Sequence, residues 1–175
     1  MNRVYFKASR VLAGVLVCLA LVACDKAPAP PAAQAGLAFH PGDECHVCGM
    51  VITDFPGPKG AAVGVNGTKK FCSPAEMLGW WLQPENHRAD VKLYVHDMGR
   101  SHWDAPDDAH LIDARTAYFV IGSGLKGAMG VVLASFSNPE AAQNLAHETG
   151  GKVLRLEDID QKLLGQAGAM SSMSH

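Results

Sequence analysis

Phe71-Cys72-Ser73-Pro74-Ala75-Glu76 and Phe136-Ser137-Asn138-Pro139-Glu140-Ala141 are two versions of one pattern, and each marks the start of a helix. Ser73 and Asn138 are N-cap residue types. Pro74 and Pro139 fall at the first helical position, where a missing N–H costs nothing. Ser73 with Glu76 reads as a capping box. After each helix comes a strand-like run that ends in acid: Val91-Lys92-Leu93-Tyr94-Val95 then Asp97, and Lys152-Val153-Leu154-Arg155-Leu156 then Glu157 and Asp158. Gly150-Gly151 supplies a stop for the second helix. Two further strand-like runs precede each helix. Ala61 to Val65 and Thr68 to Phe71 flank the hairpin signal Asn66-Gly67, and Ala117 to Ile121 and Val131 to Phe136 flank a longer Gly-rich loop. A strand-strand-helix-strand unit therefore occurs twice. The prediction is an α+β fold of two similar ββαβ half-domains packed together, over 39–110 and 111–164.

The flanks read differently. Arg3, Lys7 and Arg10 precede the uncharged apolar run Val11 to Val22, which ends in Leu21-Val22-Ala23-Cys24. The run is too short to span a bilayer, which takes about 20 residues. It reads as a lipoprotein signal peptide over 1–23, with Cys24 as the lipidated residue. An ordinary signal cut after Ala23 is the other reading. Residues 24–38, with Pro28, Pro30 and Pro31 among alanines, form a lipid-anchored tether. Residues 165–175, containing Met170, Met173 and His175, read as a flexible tail. Loss of the three basic signal residues leaves 12 Lys+Arg against 17 Asp+Glu, a net charge of −5. That charge argues against a nucleic-acid partner and suits a protein that collects a cation. The expected location is the periplasm, attached to a membrane through lipid. Once Cys18 leaves with the signal and Cys24 becomes a thioether, Cys45, Cys48 and Cys72 remain. An odd number of thiols in an oxidising compartment leaves at least one free, metal-bound or redox-active.

Cys45-His46-Val47-Cys48-Gly49-Met50 is the densest set of ligand atoms: two thiols, an imidazole and a thioether. Thiolate and thioether are soft donors that favour Cu(I). Gly49 lets the backbone turn between Cys48 and Met50, so that both sulfurs can face one ion. Three other readings of these residues stand beside this one: a periplasmic thiol-disulfide oxidoreductase using Cys45 and Cys48, a structural zinc site completed by Cys72 and a histidine, and a plain Cys45–Cys48 disulfide. Against the oxidoreductase, the motif follows a tether rather than a strand. Met129, in the loop Gly122-Ser123-Gly124-Leu125-Lys126-Gly127-Ala128-Met129-Gly130, is either an exposed thioether ligand or a core plug. That loop lacks the Lys-Ser/Thr pair of a phosphate loop. His96, Asp97 and Met98 at a strand end are weaker ligand candidates. No nucleophile and base pair stands out, so the chain reads as a non-enzyme.

Taken in order, several of these segments resemble a known family. They are the lipoprotein signal, Cys48-Gly49-Met50, Phe55-Pro56-Gly57-Pro58-Lys59-Gly60, Asp97-Met98, Trp103, Ile112-Asp113-Ala114-Arg115, Tyr118-Phe119-Val120-Ile121-Gly122-Ser123 and Lys126-Gly127-Ala128-Met129-Gly130. The series is similar to NosL, the family of copper-binding accessory lipoproteins of nitrous oxide reductase maturation. The resemblance implies two ββαβ halves and a Cu(I) carrier. It also implies an ABC-type maturation complex as partner and, through that complex, nitrous oxide reductase. Its ligand motif falls on Cys48 and Met50, its loop methionine on Met129, and a recurrent strand end on Asp97 and Met98. Cys45 is less regular in the family, and Cys72 is not a ligand that the motif predicts. In lipoproteins with signals of this kind, an Asp after the lipidated Cys, here Asp25, often keeps the protein at the inner membrane.

Overall fold

The structure is a computed structural model that describes residues 36–87 and 90–172. The expected signal peptide, the expected lipidation position at Cys24 and all but the last residues of the expected tether lie outside the described residues. Strands β1 (Gly60–Gly64) and β2 (Gly67–Phe71) form the expected hairpin, with Gly60 opposite Phe71 and Gly64 opposite Gly67. The chain then enters helix α1 (Pro74–Trp81), and the Ser73 hydroxyl accepts the Glu76 N–H at 3.2 Å. A single-turn helix α2 (Pro84–His87) leads toward β3 (Lys92–His96), which pairs antiparallel with the free edge of β1.

The second half repeats this order. Strand β5 (Tyr118–Ile121) pairs with β6 (Leu133–Phe136), helix α3 (Pro139–Thr149) follows, and β7 (Lys152–Leu154) returns to the other edge of β5. Asn138 caps α3 by accepting the N–H groups of Glu140 and Ala141. Gly150 ends it in the left-handed conformation, φ 74°, which favours glycine. The strand orders β2-β1-β3 and β6-β5-β7 are the same topology, so the repeated sequence pattern is a repeated fold.

Two segments differ from the sequence expectation. Leu111–Asp113, at the start of the segment assigned to the second half, is strand β4 and pairs with β3 of the first sheet. It makes that sheet four-stranded. The expected flexible tail 165–175 is helical through Ser172, as part of α4 (Gln161–Ser172). The glycines and serines of this segment disfavour a helix on their own. Two features outweigh them: Asp160 accepts the Leu163 N–H at 2.7 Å as a cap, and Leu163 and Leu164 pack on the core.

The two halves share one interior. Phe71, Met77, Leu78, Leu93 and Val95 from the first lie in the same apolar cluster as Phe119, Leu133, Leu154, Leu156 and Ile159 from the second. Helix α1 and strand β3 both pack against β6. A polar staple reinforces this seam just past the end of β3. Buried Asp97 accepts the N–H groups of Gly99 and Ser137 on Oδ1, at 3.0 and 3.1 Å, and the Ser137 hydroxyl on Oδ2 at 2.5 Å. Alongside it, the Ser135 hydroxyl donates to the His96 carbonyl at 2.6 Å and the Met98 N–H donates to the Ser135 carbonyl at 2.8 Å. Replacing Asp97 by Ala leaves these buried donors unpaired. Hydrogen bonds to a charged group contribute about 1.5–3 kcal/mol, so Asp97→Ala should lower the stability of the metal-free protein by about that amount in urea unfolding. A stability change near zero would show that the staple does not hold the halves together.

Candidate metal centre

Three cysteines meet where the N-terminal segment crosses the end of β2. From Glu44 to Val51 the chain makes a tight knuckle. Glu44 and Val51 form an isolated β-bridge, and the Cys45 N–H donates to the Met50 carbonyl at 2.9 Å. The Gly49 N–H donates to the Cys45 carbonyl at 2.9 Å, and Gly49 turns the chain with φ 72°. The knuckle is pinned to β2. The His46 N–H donates to the Lys70 carbonyl at 2.9 Å, and Lys70 reaches Asp43 and the Ala38 carbonyl at 2.5 and 2.6 Å. Cys72 arrives from the other side, between the last residue of β2 and the Ser73 N-cap of α1.

The sulfurs of Cys45, Cys48 and Cys72 lie within 4.8 Å of one another, the only such group of three His, Cys, Asp or Glu ligand atoms among the described residues. Cys48 Sγ is 3.7 Å from Cys72 Sγ, and all three are free cysteines. Cys45 and Cys72 are buried, at 3% and 0% exposure, whereas Cys48 is half-buried. Their electrostatics differ. Burial opposes ionisation of Cys45, but the N–H groups of Cys48, Cys72 and Val47 aimed at its sulfur outweigh that and hold the thiol below its ordinary value. Burial pushes the Cys72 thiol far up, and the adjacent Cys45 and Cys48 sulfurs add to the rise. The cluster therefore presents one thiol whose ionisation the main chain favours beside one whose ionisation burial opposes, and a soft cation binds thiolates by displacing their protons.

The structure brings Cys45 and Cys48 together, as their spacing anticipates, and adds Cys72, which lay outside the predicted ligand set. A signal for Cys72 was present in the repeat: its counterpart in the second copy is Ser137, so sulfur replaces oxygen at one position of the pattern. Met50 lies within the knuckle and is half-buried. Met129 belongs to the second half and is 45% exposed, and its loop shares a narrow cleft with Ser73, Pro74, Pro56 and Trp103, next in sequence to Cys72. The remaining candidates have other partners. The His96 Nδ1 accepts the Lys59 N–H at 3.0 Å, and its Nε2 faces Asp108 at 2.9 Å. Both oxygens of Asp97 belong to the staple, and Met98 packs in the second half's own apolar cluster. His46 turns outward, edge-on to Phe71 and Trp80, with Nε2 3.1 Å from Lys69 Nζ.

Comparison with known proteins gives a consistent set of relatives. The sequence model of the NosL family matches residues 36–164. The copper-binding lipoprotein NosL of Stutzerimonas stutzeri is 57% identical over 170 residues, covering 97% of this chain and 90% of that protein. The copper-binding lipoprotein NosL of Achromobacter cycloclastes is 33% identical over 125 residues, covering 68% of this chain and 64% of that protein. The crystal structure of the copper chaperone NosL from Shewanella denitrificans aligns with a TM-score of 0.69 at 43% identity, over 71% of this chain and 95% of that one.

The unequal burial of the three thiols predicts an order of labelling. Iodoacetamide added to the folded, reduced protein should modify Cys48 first, and Cys45 and Cys72 at least about tenfold more slowly, because buried side chains react only through opening of the fold. Peptide mass mapping reads the order, and early modification of Cys72 would contradict the geometry.

Proposed function

The chain belongs to the NosL family, and on that premise we propose that it is a periplasmic, lipid-anchored Cu(I) carrier that supplies the copper centres of nitrous oxide reductase. The observation that carries the reading is the triangle of Cys45, Cys48 and Cys72 sulfurs within 4.8 Å of one another. Three converging thiols form a soft, low-coordinate site that suits Cu(I) and offers little to hard ions.

Uptake and release follow from the asymmetry of the triangle. Cys45, buried and with N–H groups favouring its thiolate form, is the fixed foot of the site. Cys48 is the accessible edge, where an incoming ion or a partner's ligand meets the cluster first. A partner thiolate or imidazole displaces Cys48 and then draws the ion off the buried pair. Met50 in the knuckle and the exposed Met129 of the second half are neutral thioethers that act as transient ligands during that exchange. The protein carries and transfers the ion without turnover. An ABC-type maturation complex is the receiving partner. Asp25 after the lipidated Cys24 keeps the carrier at the inner membrane beside that complex, and recovery of the protein with outer-membrane fractions would count against this location.

Titration of the reduced protein with Cu(I) against a competing chelator tests the site. One Cu(I) per chain should bind tightly. Cys72→Ala should weaken binding by about a hundredfold or more, since even outer-shell partners of a metal are worth 10–100-fold. Met129→Leu should fold normally, because the swap costs less than about 1.5 kcal/mol even in a core. It should bind Cu(I) with a smaller loss and deliver copper poorly in a denitrifying host. Unchanged affinity in Cys72→Ala would sink the trithiol assignment.

A further inference from the structure

Two of the three cysteines already touch across a chain separation of 24 residues: Cys48 Sγ lies 3.7 Å from Cys72 Sγ. Their settings differ. Cys72 is fully buried, between Phe71, the last residue paired in the β1–β2 ladder, and Ser73, whose hydroxyl accepts the Glu76 N–H. Cys48 is half-buried at the tip of the knuckle. Its neighbour Val47 is 51% exposed, and a Cβ added at Gly49 would meet nothing within 4 Å among the described residues. A disulfide needs its sulfurs about 2.05 Å apart, and rotation of the Cys48 side chain at this open tip supplies the approach.

Cys45 is the root of the same turn. Its N–H donates to the Met50 carbonyl and its carbonyl accepts the Gly49 N–H, both at 2.9 Å. A Cys45–Cys48 link would close a short ring within that turn. A Cys48–Cys72 link instead joins two segments that the fold has already brought together. A cross-link between residues far apart in the chain gains more from the native fold than one between near neighbours. Pairing of Cys48 with Cys72 leaves Cys45 as the odd, reduced thiol.

We infer that Cys48 and Cys72 form a reversible thiol–disulfide pair that closes the metal-free carrier in an oxidising compartment, so that a dithiol reductant must act on the protein before copper is loaded. The pairing stands on the contact between the sulfurs; its role in loading rests on the trithiol site proposed above. The co-reactant for closure is an external disulfide. Cys48, the accessible thiol, attacks one of its sulfurs as a thiolate; that S–S bond breaks, and the other sulfur leaves as a thiolate that takes up a proton. Cys72, as a thiolate, then attacks Cys48 Sγ in the mixed disulfide, and the second external sulfur leaves in the same way. The two cysteines lose two electrons and two protons, and the external disulfide gains them as two thiols. A dithiol reverses both steps. A disulfide sulfur is no thiolate ligand, so closure leaves one thiol of the triangle to meet an ion. Bound Cu(I) blocks closure by engaging the same sulfurs.

The test starts from the reduced, metal-free mature protein under anaerobic conditions. After incubation with oxidised glutathione, free thiols are blocked with iodoacetamide in denaturant and the peptides are mapped by mass. The expected product has Cys48 linked to Cys72 and Cys45 alkylated. Its Cu(I) affinity, measured against a competing chelator, should be lower by at least about a hundredfold, and dithiothreitol should restore it. One equivalent of Cu(I) added beforehand should slow closure at least about tenfold, because only the metal-free fraction reacts. A Cys45–Cys48 link as the main product, a persistent glutathione adduct on Cys48 or three alkylated cysteines would overturn the inference. So would a linked protein that binds Cu(I) as tightly as the reduced one. Failure of the reduced protein to bind Cu(I) would instead bring down the proposed function and the role in loading, while the peptide map would still decide the pairing.

Discussion

The metal-facing end of the molecule is organised around one sulfur. The main-chain N–H groups of Cys48, Cys72 and Val47, two from its own knuckle and one from the strand end that the knuckle crosses, favour the thiolate form of Cys45 against the cost of its burial. Those contacts need the Gly49 turn, the Cys45–Met50 main-chain bond and the attachment of His46 to Lys70 of β2. They also bring Cys72 close enough to form a triangle. Like charges in one buried site repel, so three thiolates converge only where the backbone holds the sulfurs in place and a cation balances them.

The duplicated fold explains how one half came to carry this arrangement and the other did not. Cys72 and Ser137 occupy the same position of the repeat, at the junction of the hairpin and the helix. In the first half that position supplies a buried thiol to the knuckle that crosses it. In the second half it supplies a hydroxyl and an N–H to Asp97, so that the equivalent junction clamps the halves to each other. The ligand cluster is thus built on a strand end fixed by a hairpin, a helix cap and a shared core. A scaffold of that kind holds ligand positions more tightly than a free loop does.

Much of the architecture was readable from residues alone. The Ser-Pro and Asn-Pro pairs marked both helix starts because capping is a local interaction, and Asn66-Gly67 marked the first hairpin for the same reason. The assignment of Leu111–Asp113 to the first sheet was not readable, since strand pairing depends on partners distant in sequence. The helical tail was missed because the packing of Leu163 and Leu164 outweighs local glycine content. At the site, Cys45 and Cys48 declared themselves by spacing. Cys72 did not declare itself as a partner of that pair, because their meeting arises only from a segment that crosses the end of β2. His96 and Asp97 looked like ligands by residue type. In the structure their hydrogen bonds tie other groups, His96 at the Lys59 backbone and Asp97 at the seam between halves.

The central claim is that Cys72 joins Cys45 and Cys48 around a single Cu(I). Copper-edge X-ray absorption of the anaerobic Cu(I)-loaded protein tests it most directly, by counting the sulfur neighbours of the ion in wild type and in Cys72→Ala. The account predicts a three-sulfur shell in the wild type that loses one neighbour in the variant. An identical copper spectrum in the two proteins would contradict it and move the site away from the end of β2.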